Sequence, residues 1–383
     1  MRKALTADGD TATPTLGFLV NPVAGMGGSV GLKGTDGPGI LREAKRRGAM
    51  PGAETRAVRA LKRLSTTTSS FRVLAGPEEM GATAARVAGL IPETLGRLNS
   101  GDSTAADTQT TARAMAERNV DLILFVGGDG TARDVLAAVG DRVPLLGVPA
   151  GVKMHSAVFG TSPENAGHLA GLFLARSPAA TLREAEVMDL DEEAIREDRL
   201  SARLYGYAVS PFERHLVQNA KSGSRAGSER DLDAAARQLA NTMQAGCLYI
   251  LGPGTTTRRV AEALGLPSTL LGVDVILDGQ LVGVDVDEHA LLHFMRNHEA
   301  RIVVGVLGGQ GSLFGRGNQQ ISSKVIEKAG LANIVVLASL DKLIALDNSP
   351  LRVDTGDAEL DTRLAGYIRV HTGADRSTIL RIA

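Results

Sequence analysis

The feature that most restricts the fold is Val120-Asp-Leu-Ile-Leu-Phe-Val126, an apolar run that enters Gly127-Gly128-Asp129-Gly130-Thr131 and leaves through the helical pattern Thr131–Val139. A continuous run of branched and aromatic residues suits a strand covered on both faces, as in a parallel sheet flanked by helices. The order strand, glycine turn, helix puts residues 127–131 at the carboxyl edge of that sheet, where open α/β folds bind ligands.

The surrounding chain repeats this order. Leu16–Val20 reads as a buried strand ending in Asn21-Pro22, and the glycine-rich segment through Gly39 lacks helical periodicity, so it reads as a functional loop. Helical patterns cover Gly39–Gly48, Ala53–Ser65, Pro77–Leu90 and Ala105–Arg118, with strands at Phe71–Ala75 and Val143–Val148. After about residue 170 the texture becomes strand-rich: Arg203–Val209, Cys247–Leu251, Thr269–Leu277, Gln280–Val286, Arg301–Val306 and Ile334–Leu340. Because 383 residues exceed one ordinary core, two domains are expected. They are an α/β N-terminal domain with a parallel sheet over residues 14–170 and a β-rich C-terminal domain for substrate and oligomerisation over 171–383. The small, polar segment Ser222–Arg230 reads as a mobile loop.

Charge and cysteine content narrow the function classes. A formal net charge of −1 supplies no overall basic field, so neither nucleic acid nor a membrane is an expected partner. Cys247 is the single cysteine, which excludes an intramolecular disulfide and any multi-cysteine metal site; it reads as a small core residue. The N-terminus carries acids early and lacks a long apolar core, unlike a secretory signal, and no run of about eighteen apolar residues occurs, so a cytoplasmic enzyme is the expectation.

Phosphate recognition requires backbone N–H groups aimed at one spot, and glycine lets a chain approach an anion closely. A helix N-terminus adds favourable partial charge. Gly127, Gly128, Gly130 and Thr131 offer both, whereas Asp129 would repel a polyphosphate unless it bound Mg²⁺ or accepted a proton from an attacking hydroxyl. A simple helix cap at Asp129 is the other reading.

Phe125-Val-Gly-Gly-Asp-Gly-Thr131 followed by Pro144-Leu-Leu-Gly-Val-Pro-Ala-Gly151 resembles the NAD kinase and diacylglycerol kinase superfamily. The chain is more closely similar to the ATP-NAD kinase-like branch that contains the acetoin-catabolism protein X. The blocks Asn21–Asp36, Gly127–Thr131, Pro149–Ser156, Gly252–Thr257 and Gly308–Gln320 carry that resemblance over nearly the whole chain. It implies an NAD kinase-like nucleotide-binding domain, a β-rich second domain, a cleft between them, ATP with Mg²⁺, and a homo-oligomer. It assigns Asp129 as catalytic base or metal-linked acid. The Asn-Glu element with which typical NAD kinases hold the dinucleotide has no counterpart here, so the reaction is better defined than its acceptor.

Other candidates stand around these blocks. Asn21, Gly25, Gly27 and Gly28 resemble the first phosphate-facing loop of such kinases, and Lys33 and Asp36 in the same block could meet phosphate and metal, or solvent. Lys153, His155 and Ser156 follow Gly151 near the same sheet edge as Asp129; Lys153 would balance phosphate charge, and His155 is either chemical or structural. Gly252-Pro-Gly254-Thr255-Thr256-Thr257 repeats the strand, glycine turn and hydroxyl-rich helix start, and resembles the loop by which NAD kinases contact substrate. N-capping accounts for one of its threonines only. Asp274 is either buried against a partner or in contact with substrate, and Arg316, Asn318 and Gln319 either read phosphate or amide groups or pack an inter-subunit loop. The acidic run Asp189–Asp198 reads as a solvated face. The expected reaction places ATP across Asn21–Gly28 and Gly127–Thr131 and transfers phosphate to a small hydroxyl metabolite, with NAD as leading acceptor. A nucleotide-sensing protein without turnover is the rival from another class.

Overall fold

A computed structural model of the chain describes residues 13–32, 38–97, 103–151, 154–190, 202–213, 216–217, 226–307, 311–346 and 349–383. Its first half is a parallel sheet of five strands in the order β3-β2-β1-β4-β5. These are β1 (Thr15–Val20), β2 (Arg72–Ala75), β3 (Glu93–Thr94), β4 (Leu122–Gly127) and β5 (Leu145–Pro149). Every side chain of β4 and β5 is buried, as their unbroken apolar sequences require. The interleaved helices are α1 (Pro38–Arg46), α2 (Ala53–Thr67), α3 (Ala82–Val87), α4 (Ala105–Glu117), α5 (Asp129–Val139) and α6 (Pro163–Leu174).

Local sequence accounts for several of these boundaries. Buried Ala53, Ala57, Ala60, Leu61 and Leu64 give α2 one apolar stripe, which packs with α6 on one face of the sheet. Thr104 and Asp107 form a reciprocal capping box on α4, while Ser162 caps α6 ahead of Pro163 in its first turn. Pro77–Leu90 departs from the expected continuous helix. It forms a short 3-10 turn at Glu78–Met80 and then α3, broken at Gly81, whose φ of 149° no helical residue adopts.

An antiparallel hairpin follows, β6 (Thr181–Leu190) with β7 (Ala202–Phe212). Its inward residues Ala185, Val187 and Ala208 join the apolar cluster formed by α4, α5 and β4. The acidic run anticipated as a solvated face therefore begins inside a strand; its residues 191–198 lie outside the described residues.

The second half centres on a mixed sheet of seven strands, ordered β10-β9-β8-β11-β13-β15-β16. Its strands are β8 (Leu248–Leu251), β9 (Asp274–Leu277), β10 (Gln280–Gly283), β11 (Ala300–Gly305), β13 (Ile334–Leu337), β15 (Gly366–Gly373) and β16 (Arg376–Ile382). β12 (Ser312–Phe314) pairs separately with β14 (Arg352–Val353). β8, β11, β13 and β15 run parallel, and antiparallel strands close both edges. The helices are α7 (Ala226–Asn241), α8 (Thr255–Ala263), α9 (Glu288–Phe294), α10 (Ser323–Ala329), α11 (Leu340–Ile344) and α12 (Ala358–Leu364). α7 and α8 bury Leu232, Ala236, Val260 and Ala261 against one face. Helix α7 corrects the mobile-loop expectation for residues 226–230, because Leu232, Ala235 and Ala236 give that segment a buried stripe; residues 222–225 lie outside the described ones. The expected architecture, a parallel α/β unit followed by a strand-rich mixed-sheet unit, is the one observed.

Candidate active site

β4 ends at Gly127 and α5 starts at Asp129, two residues earlier than the sequence pattern suggests. Gly128 is the N-cap and contributes no side-chain cap, so the amides of Asp129, Gly130 and Thr131 form a helix N-terminus without an intrahelical acceptor. Gly128 has ordinary extended φ and ψ of −115° and −166°. What requires glycine here is proximity: a Cβ on Gly128 would stand 3.2 Å from the Gly151 Cα, and one on Gly151 would stand 2.8 Å from the Gly128 Cα. The amides of Ala150 and Gly151 both donate to the Gly127 carbonyl, at 2.9 and 3.2 Å, which locks the end of β5 against this turn. A Cβ on Gly127 would collide with the Thr131 side chain.

Asp129 does not cap its own helix. Its carboxylate, only 4% exposed, accepts the His155 amide at 2.7 Å and the Ser156 amide at 3.0 Å. The Ser156 hydroxyl also bonds this carboxylate and accepts the Met188 amide of β6 at 2.9 Å. His155 thus reaches Asp129 through its main chain, where sequence reading had considered its imidazole. Burial raises the Asp129 pKa above the ordinary carboxylate value, although Ser156, His155 and the positive charge of Arg316 oppose that shift. A proton acceptor with raised affinity, set beside a bare helix N-terminus, suits proton removal from a hydroxyl that attacks a bound phosphate.

The Asn21 loop lies beside this turn. The Asn21 amide donates to the Val126 carbonyl at 2.9 Å, its Nδ2 to Thr131 Oγ1 at 3.0 Å, and its Oδ1 accepts the Val23 amide at 3.2 Å. Its side chain therefore ties the end of β1 to α5. Gly25 has a φ of 74°, and a Cβ there would strike the Ala150 carbonyl, so both conformation and space demand glycine. Gly27 accepts the Leu32 amide at 2.8 Å, and Gly28 packs against Gln319, whose Nε2 points at the Gly151 carbonyl at 3.5 Å. Asn21, Gly25, Gly28, Gly127, Gly128, Asp129, Gly130, Thr131, Gly151, His155 and Ser156 are thus brought together. Lys153, Lys33, Asp36 and Gly308–Gln310 lie outside the described residues.

The second glycine turn stands on the other sheet. Gly254 has a φ of 123° and precedes α8 without a side-chain cap. Thr255 is exposed, but Thr257 Oγ1 donates back to the carbonyls of Gly252 and Gly254, and Thr256 Oγ1 accepts Lys342 Nζ at 3.1 Å. The Asn21 loop and this second turn meet a common segment: Gln319 meets Gly28, and two residues later Ile321 packs beside Gly252. Asp274, 2% exposed, accepts the amides of Thr269 and Asp285 and the Thr269 hydroxyl, so its carboxylate holds a loop. Asn318 likewise staples its own loop through Leu313 and Gly315. Cys247 is buried, as expected.

An ionic cluster joins the two halves, and its members were not anticipated apart from Arg316. Asp354 pairs with Arg56 and, at 3.2 Å, with Arg59, which also binds Glu164 at 2.6 Å. Burial pushes the Asp354 carboxyl up, yet Arg56, Arg59 and Arg316 overcome it and leave its pKa below the ordinary value. Arg316 donates to the Gly160 carbonyl at 3.1 Å; burial pushes its pKa down to about 10, against the pull of Asp354 and Asp129, so it remains charged at neutral pH. Arg56 and Asp354 are 298 positions apart, too far for any local pattern to reveal.

Residues 16–177 match the ATP-NAD kinase N-terminal domain and residues 246–382 match the ATP-NAD kinase C-terminal domain. No curated protein matches the chain. Among solved structures, two described as a diacylglycerol kinase from Bacillus anthracis str. Sterne align at 16% and 17% identity. Each alignment covers 47% of this chain, with TM-scores of 0.25 and 0.24. The aligned part spans 46% and 47% of those chains, less than half of their length. With its parallel N-terminal sheet and mixed C-terminal sheet each falling within one of the two matched domains, the chain belongs to the ATP-NAD kinase family.

Proposed function

We propose that this protein is an ATP-dependent kinase that phosphorylates a hydroxyl of a small metabolite, with the 2′-hydroxyl of NAD as the leading acceptor and NADP as product. The observation that carries the reading is Asp129, a buried carboxylate in the first turn of a helix whose amides have no capping side chain. Family membership supports phosphoryl transfer; the choice of acceptor is our inference.

The donor's phosphates fit the cradle that a Cβ on Gly128 or Gly151 would narrow, against the amides of Asp129, Gly130 and Thr131. Among the described residues no three acidic, His or Cys side chains group to hold a metal, so Mg²⁺ would arrive with the phosphates, as that ion commonly does. Bound Mg²⁺ supplies charge neutralisation for the phosphoryl group. Asp129 accepts the proton of the attacking hydroxyl as the new O–P bond forms and the bond to the departing ADP breaks. Ser156 and the amides of His155 and Ser156 hold its carboxylate in place, and the Asn21–Thr131 bond fixes the two loops relative to each other.

Transfer of label from γ-labelled ATP, measured with NAD and with a panel of polyols, tests the proposal. Labelled NADP that disappears on chelation and returns with Mg²⁺ is the expected result. Transfer to another hydroxyl compound alone would keep the kinase and replace the acceptor. ATP or NAD binding without transfer to any acceptor would overturn the catalytic reading in favour of a nucleotide sensor.

A further inference from the structure

Two cavities of similar size differ in their charge. One of about 450 Å³ lies between the halves of the molecule, where Arg59 faces Glu164 and Asp354 and the field of Glu213 acts on Arg352, so its guanidiniums are matched by carboxylates. The other, about 390 Å³, lies in the C-terminal half between α7 and the sheet face of β11, β13, β15 and β16. Arg301, Arg369 and His371 line it from the strands, and Gln238 and Thr242 from the α7 side. Arg301 donates to Gln244 Oε1 at 3.1 Å and Arg369 to Ser377 Oγ at 3.1 Å. Neither arginine has a carboxylate partner among the described residues. Arg376 is paired outside the lining with Asp231 at 2.9 Å, and Asp375, the only carboxylate in the lining, accepts Gln238 Nε2 at 3.2 Å.

Register puts the two arginines on one face of the sheet. Val335 of β13 pairs with Val303 of β11, and Val336 pairs with Val370 of β15, so Arg369 stands level with Val303 and Arg301 one same-face position lower. With β13 between their strands, their Cα atoms are about 12 Å apart, from strand spacing and rise. Arg301 on β11 and Arg369 on β15 flank Val335 of β13, and all three line the same cavity. Each guanidinium has five N–H donors, and a neutral oxygen engages only part of that set. An anion held in the cavity is attracted by both positive charges. A tetrahedral oxyanion can present oxygens to forks arriving from different planes, whereas one carboxylate offers its oxygens in a single plane. The volume exceeds that of a bare phosphate, and Leu239, Val335 and Leu337 give an apolar wall to the remainder of a ligand.

We propose that this cavity is a binding site for the phosphate group of a small phosphorylated metabolite, separate from the glycine turns. Arg301 and Arg369 grip the phosphate, and Ser377 and His371 supply further hydrogen bonds. The site does not depend on the kinase reading, since none of its residues belongs to the Asp129 site. α7 covers the cavity, and its Ser228 Oγ accepts the Asp341 amide of α11 at 3.3 Å.

The test is calorimetric titration of the full chain with inorganic phosphate, then with glycerol 3-phosphate and malonate, while a non-hydrolysable ATP analogue saturates the first glycine turn. Phosphate and glycerol 3-phosphate are expected to bind, and Arg301→Gln with Arg369→Gln to weaken both at least tenfold while ATP affinity stays unchanged. Ser377→Glu, at an exposed position, keeps both arginines and fills the cavity with a carboxylate; it should abolish phosphate binding in a protein that melts no lower than wild type. Absence of phosphate binding to wild type, equal affinity in the arginine variant, or tighter binding of malonate than of either phosphate compound would each overturn the assignment.

Discussion

Gly127–Thr131 and Gly252–Thr257 share one local plan, a parallel strand, a glycine turn and a helix without a side-chain cap, yet their polar groups are committed differently. In the first turn the side chains look outward to other segments: Asp129 to residues 155 and 156, Thr131 to Asn21. In the second, Thr257 turns back to its own loop and Thr256 is held by Lys342. Their glycines also serve different ends. Gly128 is needed because another main chain passes against it, whereas Gly254 has open space but a φ of 123° that side chains rarely adopt. The same sequence grammar can therefore build a turn whose carboxylate gathers distant amides or one whose hydroxyl secures its own loop.

Substitutions at the two turns separate these roles, and the largest effect is expected from Gly128→Val. Its side chain would press on Gly151 and cover the helix amides, so ATP affinity should fall at least a hundredfold, about 2.7 kcal/mol, while a thermal melt still shows a folded protein. Unchanged ATP affinity in the folded variant would move the donor phosphates to another place. Asp129→Asn comes next: kcat should fall by roughly a hundredfold or more, with most ATP affinity retained, in line with loss of general-base or electrostatic assistance. Near-equal single-turnover rates would leave Asp129 with the structural task of holding residues 155 and 156.

Changes at the second turn should appear in stability. Gly254→Ala forces a side chain into a glycine-only conformation and should cost about 1–3 kcal/mol in denaturant unfolding. Thr257→Val leaves the carbonyls of Gly252 and Gly254 without their hydroxyl donor, at roughly 1 kcal/mol, with ATP affinity unaltered. A loss of ATP affinity in either variant would instead draw the second turn into the donor site. The smallest effect is in the pH profile. Because the Asp129 pKa is raised and its ionised form accepts the proton, kcat should decline as pH falls through a midpoint above the ordinary carboxylate range, and Asp129→Asn should lack that limb. A midpoint at or below the ordinary range would contradict the buried-base assignment.

Much of this arrangement is legible in the order of residues, for identifiable reasons. The apolar run 120–126 has to be covered on both faces, and the glycines that follow mark a close approach before any partner is known. Boundaries are less legible where a side chain is recruited from elsewhere. α5 begins at Asp129, whose carboxylate accepts the amides of residues 155 and 156 instead of capping the helix. The strand expected at Thr269–Leu277 starts only at Asp274, because Asp274 accepts the Thr269 amide and turns the preceding residues into a loop.

By itself, the amino-acid order determined the alternation of strands and helices, the two glycine turns and the location of the candidate phosphate site, since periodicity, chain reversal and N–H presentation are properties of short segments. Only the tertiary structure decided that Ser156 and the His155 main chain hold Asp129, that Arg316 and Asp354 connect the two halves, and that Arg301 and Arg369 line one cavity, neither paired with a carboxylate among the described residues. Those outcomes depend on burial and on charges brought together across hundreds of residues, where the energy of each group is set by what packs around it.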